Sequence, residues 1–153
     1  MKIQVIRMVV ILGLLMGIGN ASARAQTLNE YSIVADIPFS FVVRDTALPA
    51  GKYTVKRVDD TETHLLEIRS NKGRIAVVFE AQNAQANQIP RDAELVFDQV
   101  GDQYFLTQIW TSASEFGYQL PKTKAEERLE GSGMQSERRS ILAKVLGKTK
   151  KAK

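Results

Sequence analysis

Asp59, Asp60, Glu62 and His64 form the densest run of potential metal ligands in this 153-residue chain. Oxygen donors at alternate positions suit a hard cation such as calcium. The run lacks the spacing and glycine pivot of an EF-hand loop, so a solvated connection between strands is the simpler account and no metal ligand is assigned. A serine triad would have to use His64 as its base, since it is the only histidine. No G-x-S-x-G context accompanies it. Two converging acids would suit glycoside cleavage, but nothing among the 17 acidic residues selects a pair. P-loop and G-x-G-x-x-G signatures are missing, so no cofactor is expected. The absence of cysteine removes disulfides, lipidated cysteine and thiolate metal sites. The expectation is a non-enzyme with no catalytic, cofactor-binding or metal residues.

Two other groups of residues invite binding rather than catalysis. Tyr31, Phe39, Phe41, Tyr53, Phe79, Phe97, Tyr104, Phe105 and Trp110 all fall on expected strands. They would line an apolar cavity in a small barrel, or simply fill its core. Near the C-terminus, Arg138, Arg139, Lys144, Lys148, Lys150, Lys151 and Lys153 make a basic arm beside an apolar helix face. Such an arm suits salt-sensitive contact with an anionic membrane surface or an acidic envelope polymer. Nucleic acid is not expected, because the arm has no aromatic residues for base stacking.

Charge supports the division. The chain carries 21 basic and 17 acidic residues. Residues 1–25 read as a secretory signal peptide: Lys2 and Arg7, then the apolar run Met8 to Ile18, then small-x-small sites ending at Ala25. Cleavage after Ala25 would remove three basic residues and leave a net charge of +1. An exported protein, periplasmic or secreted, is the expectation. Residues 26–120 then carry net −5 and residues 121–153 net +6, an acidic body with a basic tail.

The elements that would position these groups are mostly strands. Glu94 to Thr111 reads as a hairpin about Gly101-Asp102 and holds the only tryptophan. That turn would set Phe97 against Leu106, Gln99 against Tyr104 and Leu95 against Gln108. Leu95, Phe97, Tyr104, Leu106 and Trp110 would then face the core; Val96, Val100, Phe105 and Ile109 would face away. Apolar residues at every odd position from Tyr31 to Val43 predict one long strand, bent at Pro38. Asp45 to Gly51 is a turn region. Lys52 to Val58, His64 to Ser70 and Arg74 to Ala81 follow as strands, the last two joined at Asn71-Lys72-Gly73. Gln82 to Asn87 is ambiguous between loop and strand, and Phe116 to Leu120 suggests a short strand. Lys122 to Glu130 and Ser136 to Leu146 predict two short helices, separated by Gly131-Ser132-Gly133.

The segments IPFSFVV, LPAGKYTV, LVFDQVGDQYFLTQIW and LPKTKAEERL, in that order from about Ile37 to Leu129, resemble a group of small exported bacterial proteins of unknown function. The resemblance implies a compact β-domain in the cell envelope and transfers no active residues. The expected architecture is all-β: a small antiparallel sandwich or barrel of six to seven strands over residues 26–120, preceded by the signal peptide and followed by a helical, basic tail over 121–153. Its expected role is an envelope interaction module acting through the basic arm. A small apolar-ligand carrier and an unrecognised carboxylate hydrolase are the alternatives. Oligomeric state is not set by the sequence.

Overall fold

The computed structural model describes residues 31–59 and 61–147. The signal peptide read at residues 1–25 lies outside the described residues, as do Asp60, Lys148, Lys150, Lys151 and Lys153. In chain order the strands are β1 (Tyr31–Ile37), β2 (Phe41–Val43), β3 (Thr46–Leu48), β4 (Gly51–Arg57), β5 (Leu65–Ser70) and β6 (Ala76–Glu80). They continue as β7 (Gln82–Gln85), β8 (Ala93–Val100), β9 (Gln103–Trp110) and β10 (Phe116–Gln119). A helix, α1 (Lys124–Gly131), precedes the last strand, β11 (Ser136–Gly147).

The eleven strands of the described residues belong to one sheet that curls into a nearly closed barrel. β8 pairs with β9 on one side and β11 on the other; β11 pairs with β1, and β1 with β4, β5 and β6 in succession. Past Ala81 the chain runs on as β7 and pairs with β10, which returns to β9. The hairpin of β2 and β3 occupies another part of β9, with β2 parallel to it at Val42 and Phe105. Pro38 lies where the first apolar run breaks, and the two halves serve different neighbours, as a residue without an N–H at a bend requires.

The expected count of six to seven strands is too low, and the second C-terminal helix is absent. Ser136–Gly147 is instead a twelve-residue strand in the middle of the sheet. It pairs with β8 from Ser136↔Val100 to Ala143↔Ala93, and with β1 from Ala35↔Ala143 to Tyr31↔Gly147. Two neighbours with unfilled ladders outweigh the weak helix preference of this stretch, because tertiary pairing satisfies its backbone along most of its length. Ile141, Ala143 and Val145 pack against the core at period two. The first predicted helix is present as α1. Thr123 caps it, accepting from the Glu126 N–H, while the Glu126 carboxylate accepts from the Thr123 N–H.

The interior holds Ile33, Ile37, Phe41, Tyr53, Leu66, Ile68, Leu95 and Phe97, among others. Full burial of one such side chain contributes roughly 1.5–3 kcal/mol. The hairpin turn forms as expected, with Gly101 at φ 60. Phe97 faces Leu106 and Gln99 faces Tyr104, but Leu95 faces Ile109 rather than Gln108. The cause is a bulge at Thr107, whose hydroxyl donates to the Val96 carbonyl at 3.2 Å. The extra residue exchanges the faces beyond it. Ile109 joins the core, and Trp110 leaves it for the outer face. Val96, Val100 and Phe105 are also buried outside the main core, where α1 packs over β8.

Candidate functional site

The two ends of the barrel differ. At one end Phe39 stacks on Tyr104 with ring centres 3.9 Å apart. Phe97 meets the edges of Phe39 and Phe41 at 5.2 and 5.5 Å, and Phe41 meets Tyr53 at 5.2 Å. The Tyr53 hydroxyl donates to the Pro49 carbonyl at 2.8 Å, which ties the LPAG turn to this plug. Edge-to-face and offset contacts of this kind make a solid aromatic layer.

At the other end a cavity opens to the outside. This cavity, of about 650 Å³, is lined by Ile33, Val55, Leu66, Ile109 and Val145 from five strands, with Phe116 and Tyr118 from β10. Lys56, Arg57 and the loop Thr111–Ser114 complete its lining. The volume lies within the roughly 300–1,000 Å³ of small-molecule sites. Of the nine aromatic residues expected from sequence, Phe39, Phe41, Tyr53, Phe79, Phe97, Tyr104, Phe105 and Trp110 do not line this space. The described ones pack as plug, core or outer face. Their bulk fills the narrow interior where they meet, whereas the aliphatic side chains at the far end leave room.

Local structure explains the mouth. β4 ends at Arg57, and the register Arg57↔Leu66 puts Arg57 on the same face as buried Leu66. Lys56 takes the opposite face, 3.8 Å from the Glu67 carboxylate. Glu67 also receives two hydrogen bonds from Arg69 at 2.9 Å, chiefly why its carboxyl is held below the ordinary range. Across the opening, Ala113 adopts a positive φ of 56 and its N–H donates to the Pro90 carbonyl at 2.9 Å. Phe116 is 61 % exposed at the rim.

The acidic run after β4 makes a turn. One Asp59 carboxylate oxygen accepts from the Glu62 N–H, the Thr61 N–H and the Thr61 hydroxyl at 2.7–2.8 Å, and these bonds hold its pKa below the usual carboxylate value. His64 is exposed on the same connection. Among the described residues no three His, Asp or Glu side chains converge to hold a metal ion.

The basic residues fall elsewhere. Arg138 and Lys144 project from the outer face of β11, Arg138 3.6 Å from Asp98. Arg139 sits 3.6 Å from Glu137. These three belong to the barrel wall rather than to a separate helical arm. One buried acid lies outside both places: Glu126 of α1 is 1 % exposed, with Oε1 unpartnered. Burial pushes its carboxyl pKa up, and sequence reading singled out no role for it.

Sequence could not reveal the cavity, because its lining comes from strands far apart in the chain. The weak Phe116 to Leu120 strand was its one local sign, placing Phe116 and Tyr118 at the opening. Compared with family models, curated proteins and solved structures, the chain finds no match among the families and no significant match among the other two.

Proposed function

We propose that this domain is a non-enzymatic binding module of an exported protein, whose barrel takes a small apolar ligand. One observation carries the reading: a cavity of about 650 Å³ floored by aliphatic side chains in a barrel whose other end is solidly packed. A domain of this size gains stability by filling its interior, so a cavity left at one end is an arrangement suited to a guest. The test is titration with the neutral apolar fluorophore N-phenyl-1-naphthylamine. Saturable enhancement is expected, with its loss on filling the cavity by Val145→Phe in a variant that still unfolds cooperatively. Equal enhancement in wild type and Val145→Phe would overturn the reading.

A second reading rests on the outer face of β11, where Leu142 and Leu146 are 70 % and 51 % exposed on either side of Lys144. Exposed leucines flanking a cation suit contact with an anionic lipid surface. It predicts salt-sensitive co-sedimentation with vesicles containing phosphatidylglycerol, abolished by Leu142→Ser with Lys144→Glu. Sedimentation unchanged by these substitutions excludes it.

A further inference from the structure

One end of the sheet is β6. Among the described residues it pairs with β5 and with no other strand. The Ser70 N–H donates to the Ile75 carbonyl before β6, and the Ala81 N–H donates to the His64 carbonyl after it, both at 2.9 Å. Backbone polar groups alternate sides along an antiparallel strand. Ile75, Val77 and Phe79 therefore bond towards β5, and Ala76, Val78 and Glu80 turn their N–H and C=O groups to the open side. Proteins usually blunt such an edge with a bulge, a proline or a lysine. β6 has none of these, and its register runs unbroken from Leu65↔Glu80 to Arg69↔Ala76. Val78 is 52 % exposed on the outer face. Ile75 and Val77 are only half-buried although they pack on the core.

We propose that β6 pairs with β6 of a second copy, antiparallel about a two-fold axis at Val77, so that Arg74 of each copy meets Glu80 of the other. The parity of the strand allows this register. Ala76 faces Val78, both with backbone groups already aimed at the second copy, and Val77 faces Val77 as a pair without hydrogen bonds. On the inner side Ile75 lies against Phe79, which covers the half-buried residues. Arg74 and Glu80 are both exposed, and neither has an ion pair among the described residues. Charge selects this register over its neighbours. An axis at Val78 sets Arg74 against Gln82 and Ala76 against Glu80. An axis at Ala76 sets Arg74 against Val78 and carries Glu80 to Lys72, in the turn before the strand. The contact is isologous and closed, and one short strand from each copy makes it small, so the dimer belongs to the weak, reversible class.

Sedimentation velocity of the purified protein over about a thousandfold range of concentration is the test. Monomer at the low end and dimer at the high end are expected. Val78→Pro removes an N–H that faces the open side and leaves the β5 ladder intact, so it should abolish the dimer and keep the far-ultraviolet circular dichroism of the monomer. Arg74→Glu sets acid against acid, and Glu80→Arg sets base against base. Each change acts at two symmetry-related pairs, so each variant alone should dimerise about tenfold more weakly. An equimolar mixture of the two variants should recover wild-type association, as should the chain carrying both changes. That recovery separates a contact between copies from damage to the fold, and it decides the matter if Val78→Pro does not fold. Monomer at every concentration would overturn the proposal and leave the edge to a strand of another protein. A dimer that survives Val78→Pro, or single charge variants as strong as wild type, would overturn it equally.

Discussion

The indole of Trp110 lies across the bare Cα of Gly117 on the neighbouring strand. A Cβ built at Gly117 would fall 2.3 Å from Cε3 of that ring and 2.6 Å from the Ile109 carbonyl oxygen. Gly117 pairs directly with Trp110 in the ladder, so the side-chain vacancy is filled by the ring. Gly117→Ala is expected to destabilise the domain by about 1–3 kcal/mol through overpacking, measured by urea unfolding. In a Trp110→Ala background the cost should shrink without vanishing, because the carbonyl contact remains. An equal cost in both backgrounds would show that the ring is not the obstacle.

Glu126 makes a pH prediction. Burial raises its carboxyl pKa; Asp98 and Glu130 act in the same direction, while the Thr123 N–H and Lys122 oppose it. An acid whose pKa is raised by folding favours the folded state in its neutral form. Its contribution is full below the unfolded-state value and is lost as pH rises through the folded-state value. Stability should therefore fall across that interval on raising the pH. Glu126→Gln keeps the capping box and stays neutral, so it should be more stable than wild type at pH 7 and flat over the interval. Thermal melts of both proteins from pH 4 to 8 measure this. A slope unchanged by the substitution would assign the dependence to other groups.

Ala113 holds a left-handed backbone at the cavity rim, with φ 56. That region costs an L-residue other than glycine roughly 1–2 kcal/mol. Ala113→Gly relieves the strain and adds chain entropy to the unfolded state, so a net gain of about 0.5–1 kcal/mol is expected in denaturant unfolding. A loss of stability would mean that the loop is held by its methyl group instead.

The last strand yields a sharper test. A chain ending at Gln135 keeps α1 and, among the described elements, loses β11. It leaves β1 and β8 without the partner between them, along with the core contacts of Ile141, Ala143 and Val145. Such a chain is expected to lose cooperative thermal unfolding and near-ultraviolet circular dichroism. A dispensable arm would leave both signals as in wild type.

Much of the sheet was legible from alternation. The pairs Phe97–Leu106 and Gln99–Tyr104 follow from the Gly101-Asp102 turn alone, and Gly73 has the positive φ that its hairpin requires. Parity counting then failed at Thr107, since one inserted residue inverts every later face and leaves no mark in composition. Ser136 to Leu146 misled for another reason. Ile141, Leu142, Val145 and Leu146 fit a helical stripe, while Ile141, Ala143 and Val145 fit a strand equally well, and short apolar runs do not separate the two. Gln82 to Gln85 carries little strand signal at all; it is a strand because its backbone pairs with Phe116–Gln119.

The position of β11 also sets an order of events. β1 is the first described strand and β11 the last, yet they are neighbours, with Tyr31 paired to Gly147. β8 waits for the same partner. While the chain is being made, no amount of waiting allows β1 to find its place between β11 and β4. The pairing of β11 with β1 and β8 can form only after residue 147 is free of the ribosome, and it must bring together strands more than a hundred residues apart. Until that moment the nascent chain has strands but lacks the pairing that encloses the interior.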